Sequence, residues 1–238
     1  MDFSIYEFLY FSFTMIIIIH IWLGARNLYN KDFSGMKIRN LHYSDIQTGD
    51  IILTAYSGPE SVYHHGVMSM KFVHASLCSR EGSHVYVYEL ANYFGEKVGF
   101  LKIPFSEWIK YNKNCLMLIN KLSIKDDSPK KRKELAMKFN KYRDLHRMDK
   151  DFSFMDYIGR YLVPTTRYRD FDNTRTDYAC YELVLNILKE CDVIETMKAT
   201  EQYYTDDLIN MERIKLNEEF EYTDNYLVDI SSLLFISD

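Results

Sequence analysis

Hydrophobic residues form one long uninterrupted run near the start of the chain and shorter, periodic patterns after it. The 18 residues 8–25 contain no Asp, Glu, Lys or Arg, and four isoleucines occupy positions 16–19. A run of this length is near the minimum that crosses a bilayer as a helix. Tyr6, Tyr10 and Trp22 lie near its ends, as aromatic residues do at membrane interfaces. The pattern predicts an N-terminal transmembrane helix.

The charges on either side of this run predict its orientation. Asp2 and Glu7 precede it, whereas the residues that follow it are basic: Arg26, Lys31, Lys37 and Arg39. By the positive-inside tendency, the bulk of the protein faces the cytoplasm, and the membrane of a virus particle is a second candidate location. A cleaved signal peptide is the main alternative, but the basic start that such peptides carry is missing. A buried apolar helix is a further alternative.

The rest of the chain alternates between strand and helix patterns. Apolar runs and alternations predict strands at 51–54, 72–78, 84–90, 98–103 and 115–120, with further strand character at 214–222 and 226–235. Helical spacing predicts helices at 128–146, 152–162 and after residue 180, with shorter helical turns at 105–110 and 205–208. We therefore expect an α+β fold with an antiparallel sheet packed on helices. The expected organisation is a membrane anchor at 1–25, a connector at 26–42 and one domain at 43–238.

A hairpin between residues 72 and 90 brings a histidine and a glutamate together. If residues 80–83 form a four-residue loop, one face is almost wholly apolar, and His74 faces Glu89 on the other. Cross-strand neighbours have Cβ atoms roughly 5 Å apart, and a one-residue slip would mix the two faces. A carboxylate here can accept the proton of one imidazole nitrogen and leave the other nitrogen facing a thiol. An ordinary His–Glu pair on a solvated face is the alternative.

Cys180 lies where a polar loop turns into an amphipathic helix. Leu183, Val184, Ile187 and Leu188 follow it at helical spacing, so the cysteine falls in the first turn. Unpaired N–H groups and the helix dipole at that end favour a thiolate, and they can stabilise an oxyanion. The alternative is a small, half-buried cysteine without a chemical role.

Composition excludes some functions. The net charge of -5 argues against a nucleic-acid partner. The four cysteines are widely spaced and form no CxxC pair, which favours free thiols over a disulfide framework. His64, His65, His74 and Cys78 suggest a metal site, but their spacing fits no standard zinc pattern. We expect neither a metal nor a cofactor.

Taken together, these segments resemble the circularly permuted branch of the NlpC-type papain-like cysteine hydrolases, which includes bacterial YiiX-like proteins and relatives in poxviruses and other large DNA viruses. The matching segments, in order, are GDIIL at 49–53, FVHA at 72–75, VYVYEL at 85–90, YACYELV at 178–184 and YTDDL at 204–208. Each motif is weak alone, and their shared order carries the resemblance. Tyr181 and Leu90 depart from the family pattern, which has Ser and Ala there.

The resemblance implies a permuted papain-like fold with Cys180 as nucleophile, His74 as general base and acid, and Glu89 as the residue that orients the imidazole. A membrane-anchored cysteine hydrolase or acyltransferase, acting on an amide, ester or thioester, is the first hypothesis. Its substrate would be a membrane lipid or a membrane-attached protein. The second hypothesis is a non-catalytic, membrane-anchored structural or binding protein, such as a virion component, that keeps the fold.

Overall fold

The computed structural model describes residues 5–29, 33, 35–55, 70–93, 97–146, 180–195 and 203–228. Its helices are α1 (Ile5–Tyr29), α2 (Phe105–Tyr111), α3 (Pro129–Leu145), α4 (Cys180–Glu190) and α5 (Asp207–Asn210), with a 3-10 turn at Tyr43–Asp45. Its strands are β1 (Ile38–Arg39), β2 (Ile51–Ala55), β3 (His74–Glu81), β4 (His84–Tyr93), β5 (Lys97–Pro104), β6 (Leu116–Ile124) and β7 (Phe220–Val228). The predicted helix at 152–162, the loop at 164–176 and the His64–His65 pair lie outside the described residues.

These strands form one mixed sheet of seven, in the order β1-β7-β6-β2-β3-β4-β5. Neighbouring strands are antiparallel except for β1 and β7, which are parallel. The α+β prediction is confirmed. The sheet is antiparallel as predicted except for the short parallel pair of β1 and β7, which makes it a mixed sheet.

Both faces of the sheet are buried, which follows from apolar residues at successive positions of its central strands. On the first face, Leu53, Leu77 and Tyr88 pack against α3 and α4. On the second face, a separate core contains Ile52, Val87 and Trp108 together with residues of the 41–46 segment and α2.

The β3–β4 hairpin has a tighter turn than the sequence pattern predicted. Glu81 pairs with His84, so the loop contains only residues 82 and 83 rather than the four residues 80–83. Gly82 has a φ of 64°, which suits the first central position of a two-residue hairpin turn. The register differs from the predicted one by two residues, so each side chain stays on the face that was predicted for it.

The C-terminal region also differs from its prediction. One strand, β7, pairs with β6 along its length and replaces the predicted break between strands at 214–222 and 226–235. A register shift opposite Lys121 and Leu122 leaves Thr223 as an extra residue, which forms a β-bulge. Residues beyond 228 lie outside the described part.

Helix α1 covers the apolar run and extends four residues past it to Tyr29. Among the described residues, no helix has the length and hydropathy needed to pass through a membrane. This finding does not support the transmembrane helix predicted at 8–25.

Candidate active site

Helix α4 carries Cys180 as its first residue and is held firmly on the sheet. Leu183, Val184, Ile187 and Leu188 have no solvent exposure, and burying each such side chain contributes roughly 1.5–3 kcal/mol. The first N–H groups of a helix have no carbonyl partner within it. The α4 packing therefore fixes the thiol next to a set of backbone donors.

The Cys180 thiol lies next to the first residues of β3. Cys180 Sγ is 3.8 Å from the carbonyl oxygen of Val73, to which it donates as a thiol. The next residue, His74, opens β3 and pairs with Thr54 of β2. Helix α4 packs on the first face of the sheet, and the Cys180 side chain interacts with the imidazole of His74 at the start of β3.

His74 and Glu89 form a close pair on the second face. His74 Nε2 is 2.9 Å from Glu89 Oε2, and the carboxylate is completely buried. The register places Ser76 rather than His74 directly opposite Glu89, so the predicted pair is a diagonal one. Engagement of Nε2 by the carboxylate leaves Nδ1 as the ring nitrogen available to the sulfur.

Glu89 has two further hydrogen-bond donors that the sequence analysis did not assign. Ser76 Oγ and Trp108 Nε1 each donate to Glu89 Oε2 at 2.9 Å. A buried carboxylate is costly unless donors compensate for its lost hydration. Ser76 lies two residues from His74 on the same face of the strand, and this spacing could have predicted its contact with Glu89. The sequence did not predict the contact of Trp108 with Glu89, because that contact depends on how α2 packs against the sheet.

The electrostatics favour an ion pair between sulfur and imidazole. Burial alone lowers the pKa of His74, but the negative charge of the Cys180 thiolate, a hydrogen bond to its side chain and the contact with Glu89 raise that pKa to about 10. His74 is therefore protonated at neutral pH when it faces a thiolate.

The other three cysteines lie in different surroundings. Burial raises the pKa of Cys115, raises that of Cys191 to about 12, and raises that of Cys78 well above its ordinary range. These thiols stay protonated at neutral pH and are poor nucleophiles. Cys180 alone among the four is paired with an imidazole in the described part of the chain.

Two other sequence predictions concern this region. Tyr181 is only 7% exposed and packs in the first core. In the described part of the chain, no group of three or more His, Cys, Asp or Glu residues is arranged to hold a metal ion. His64 and His65, which the metal hypothesis included, fall outside that part.

Comparisons with known proteins give a distant structural likeness. No protein-family model matches the sequence, and a search of curated proteins finds no match. Among solved structures, the chain is similar to the crystal structure of the metalloprotein yiiX from Escherichia coli O157:H7, with 16% sequence identity and a TM-score of 0.42. The likeness covers 81% of this chain and 93% of that chain.

The expected relation to bacterial YiiX-like proteins thus has a distant structural counterpart, and the relation to viral proteins stays a prediction. At this TM-score the likeness decides nothing about chemistry, so the function depends on the geometry of the site.

Proposed function

We propose that this protein is a thiol hydrolase or acyltransferase that works through an acyl-enzyme on Cys180. The observation that carries the proposal is the His74 Nε2 contact with buried Glu89 at 2.9 Å, with Cys180 adjacent to the same imidazole. A nucleophile, a base and a group that orients the base are the three parts that such catalysis requires.

The chemistry follows from the ion pair. The Cys180 thiolate attacks the carbonyl carbon of an amide, ester or thioester, and the carbonyl oxygen becomes an oxyanion beside the N–H groups at the start of α4. The His74 imidazolium gives its proton to the departing amine, alcohol or thiol, and a thioester to Cys180 remains. His74 then removes a proton from water or another acceptor, which attacks the thioester and releases the thiolate.

We also propose that the substrate is a membrane lipid or a membrane-attached protein. Large apolar side chains of α1 are exposed, including Ile5 at 70% and Trp22 at 58%. The ring of Phe33, four residues after α1, packs against Phe72 at a centroid distance of 5.9 Å, and Phe72 lies two residues before His74. A chain of four residues spans at most about 14 Å. The apolar helix is thus tethered close to the site.

The catalytic proposal is tested by the pH dependence of alkylation. Purified protein is treated with iodoacetamide, and the rate at each cysteine is measured by mass spectrometry of its peptide. At and below neutral pH, Cys180 should react faster than the half-buried Cys115 and the buried Cys78 and Cys191, because burial raises the pKa of those three thiols. His74→Ala should slow Cys180 alkylation at neutral pH about 10-fold or more, because the thiolate loses its partner.

The acyl-enzyme is tested on the same samples. A p-nitrophenyl ester should leave an acyl group on the wild type, seen as added mass on the Cys180 peptide, and none in Cys180→Ala. Half-buried Cys115 is the matched internal control. The proposal is wrong if Cys115 reacts as fast as Cys180 at neutral pH, or if no acyl group is found at Cys180.

A further inference from the structure

The chain entering β3 is held by a carboxylate that lies far away in sequence. The Lys71 N–H donates to Asp206 Oδ2 at 2.7 Å and to Oδ1 at 2.9 Å, and the Phe72 N–H donates to Oδ1 at 3.0 Å. Asp206 precedes α5 as its N-cap residue, yet its side chain makes no capping hydrogen bond there. The carboxylate is used to bind the distant segment instead of its own helix.

This segment needs an anchor because it lies just outside the sheet. The first residues paired between β2 and β3 are Thr54 and His74. The Val73 N–H, one residue earlier, donates to the Thr54 oxygen at 3.0 Å. Lys71 and Phe72 come before that pairing, and their N–H groups bond to Asp206. The carboxylate therefore extends the ordered backbone by two residues beyond the end of the ladder.

The same short segment sets two atoms that the sulfur meets. Val73 supplies the carbonyl oxygen 3.8 Å from Cys180 Sγ, and His74 supplies the imidazole. Rotation about the backbone bonds of residues 71–73 would move both. In enzymes, a displacement of about 1 Å between reacting groups costs about 100-fold in rate.

We propose that Asp206 is a positioning residue that sets the distance between Cys180 and His74 through the backbone of Lys71 and Phe72. The inference rests on the proposed function, because it assigns Asp206 a role in the reactivity of the same thiol. The YTDDL motif at 204–208 thereby gains a physical role that its sequence alone did not provide.

The neighbouring Asp207 offers a matched control. Asp207 Oδ2 accepts from the Tyr204 N–H at 2.8 Å, and both of its oxygens lie 2.9 Å from Arg213 Nη1. These contacts are local to the α5 region. Replacing either aspartate with asparagine removes one negative charge and one acceptor oxygen at adjacent positions, but only Asp206→Asn releases the segment that carries His74.

The experiment compares full-length wild type, Asp206→Asn and Asp207→Asn. The rate of Cys180 alkylation by iodoacetamide is measured across pH, and amide hydrogen exchange of Lys71 and Phe72 is measured on the same proteins. In Asp206→Asn we expect faster exchange at both amides, about 10- to 100-fold slower Cys180 alkylation at neutral pH, and a pH profile displaced toward that of an unpaired thiol. Asp207→Asn should keep the wild-type profile.

The outcomes separate this inference from the proposed function. If Cys180 of the wild type reacts no faster than Cys115 at neutral pH, the proposed function fails and this inference fails with it. If Cys180 is reactive in the wild type, and Asp206→Asn keeps the wild-type alkylation profile although its Lys71 and Phe72 amides exchange faster, Asp206 is only structural. In that case this inference alone is overturned. If Asp206→Asn unfolds at the assay temperature, Asp206→Glu replaces it and is judged by its amide exchange at Lys71 and Phe72 and by its Cys180 alkylation profile.

Discussion

At the scale of single residues, Glu89 explains why the site is ordered as it is. Its oxygen Oε2 accepts from Ser76, Trp108 and His74, each at 2.9 Å. Charge-assisted hydrogen bonds of this kind are stronger than neutral ones, and they fix the direction in which the imidazole points. A fully buried carboxylate with these donors can stabilise a protonated histidine whose own side chain is 17% exposed.

The His74 pKa should depend on the sulfur. Because the Cys180 thiolate is the largest influence that raises this pKa to about 10, Cys180→Ala should lower it, and the remaining burial opposes the positive charge. NMR titration of labelled histidine in the wild type and in Cys180→Ala measures the shift. An unchanged His74 titration would contradict the ion pair.

The same shift has a consequence for stability. The folded pKa lies above the ordinary value of 6.5, so the protonated imidazole stabilises the fold fully below that pH. This contribution is lost as the pH rises through about 10.

At the scale of elements, burial patterns predicted which face each strand residue occupies but not which residue it pairs with. In the β3–β4 hairpin, a four-residue loop and a two-residue loop place the same side chains on the same faces, because the registers differ by two. The Gly82 turn decides between them. The contacts of Trp108 and Asp206 could not be predicted, because each joins segments whose approach depends on the packed fold.

Strand β7 shows how partners outside a strand can hold polar residues within it. Asp224 and Asn225 lie inside the strand because each has a partner outside it. Arg39 forms an ion pair with Asp224, and Asn225 Nδ2 donates to the Ile209 oxygen at 3.0 Å. Sequence alone does not reveal such partners.

Gly49, just before β2, should tolerate substitution less well than Gly35 or Gly82. Its φ is 95°, and an added Cβ would overlap the Cδ2 atom of buried Leu122 and lie 3.3 Å from its Cγ. Gly49→Ala should therefore lower the free energy of unfolding by about 2–4 kcal/mol, from backbone strain and overpacking together. Urea unfolding followed by circular dichroism measures the change.

Gly82→Ala is the control for that measurement. Its φ of 64° imposes similar backbone strain, but nothing lies within 4 Å of an added Cβ. Its cost should be about 1–2 kcal/mol. Equal losses in the two variants would show that Leu122 yields and that packing at Gly49 is unimportant.

At the scale of the whole molecule, the sheet separates two cores. The site lies at the start of β3, where residues from the two sides of the sheet approach one another. Cys180 comes from the helical side, whereas His74 and Glu89 belong to the other side. The sequence predicted the central strands β2 to β6 and the helices α3 and α4, but not β1 and not this double burial. Leu41 and Ile46, which belong to the second core, stand in a stretch whose polar composition gave no sign of it.

Membrane attachment through α1 is tested on the full-length chain. We expect the wild type to float with phospholipid vesicles in a density gradient. The double substitution Ile16→Asp and Ile19→Asp should abolish flotation, because a carboxylate costs about 2.5–3.5 kcal/mol in the apolar region of a bilayer. Both isoleucines are about half exposed, at 52% and 47%, so the fold should survive.

Ile38→Asp is the matched control for vesicle binding. Ile38 is 72% exposed and belongs to β1 rather than to the apolar helix. This variant should float like the wild type. A wild type that stays with the unbound fraction, or a loss of flotation in Ile38→Asp equal to that of the double variant, would contradict attachment through α1.

The two-residue turn at Gly82 also limits how the hairpin can change in length. Inserting a pair of residues at the tip can leave the ladder below it intact, with His74 and Glu89 still on one side. A single insertion that the ladder absorbed would turn Glu89 toward α4 and leave His74 without its carboxylate. Viable length variants of this hairpin, natural or engineered, should therefore differ from one another by even numbers of residues.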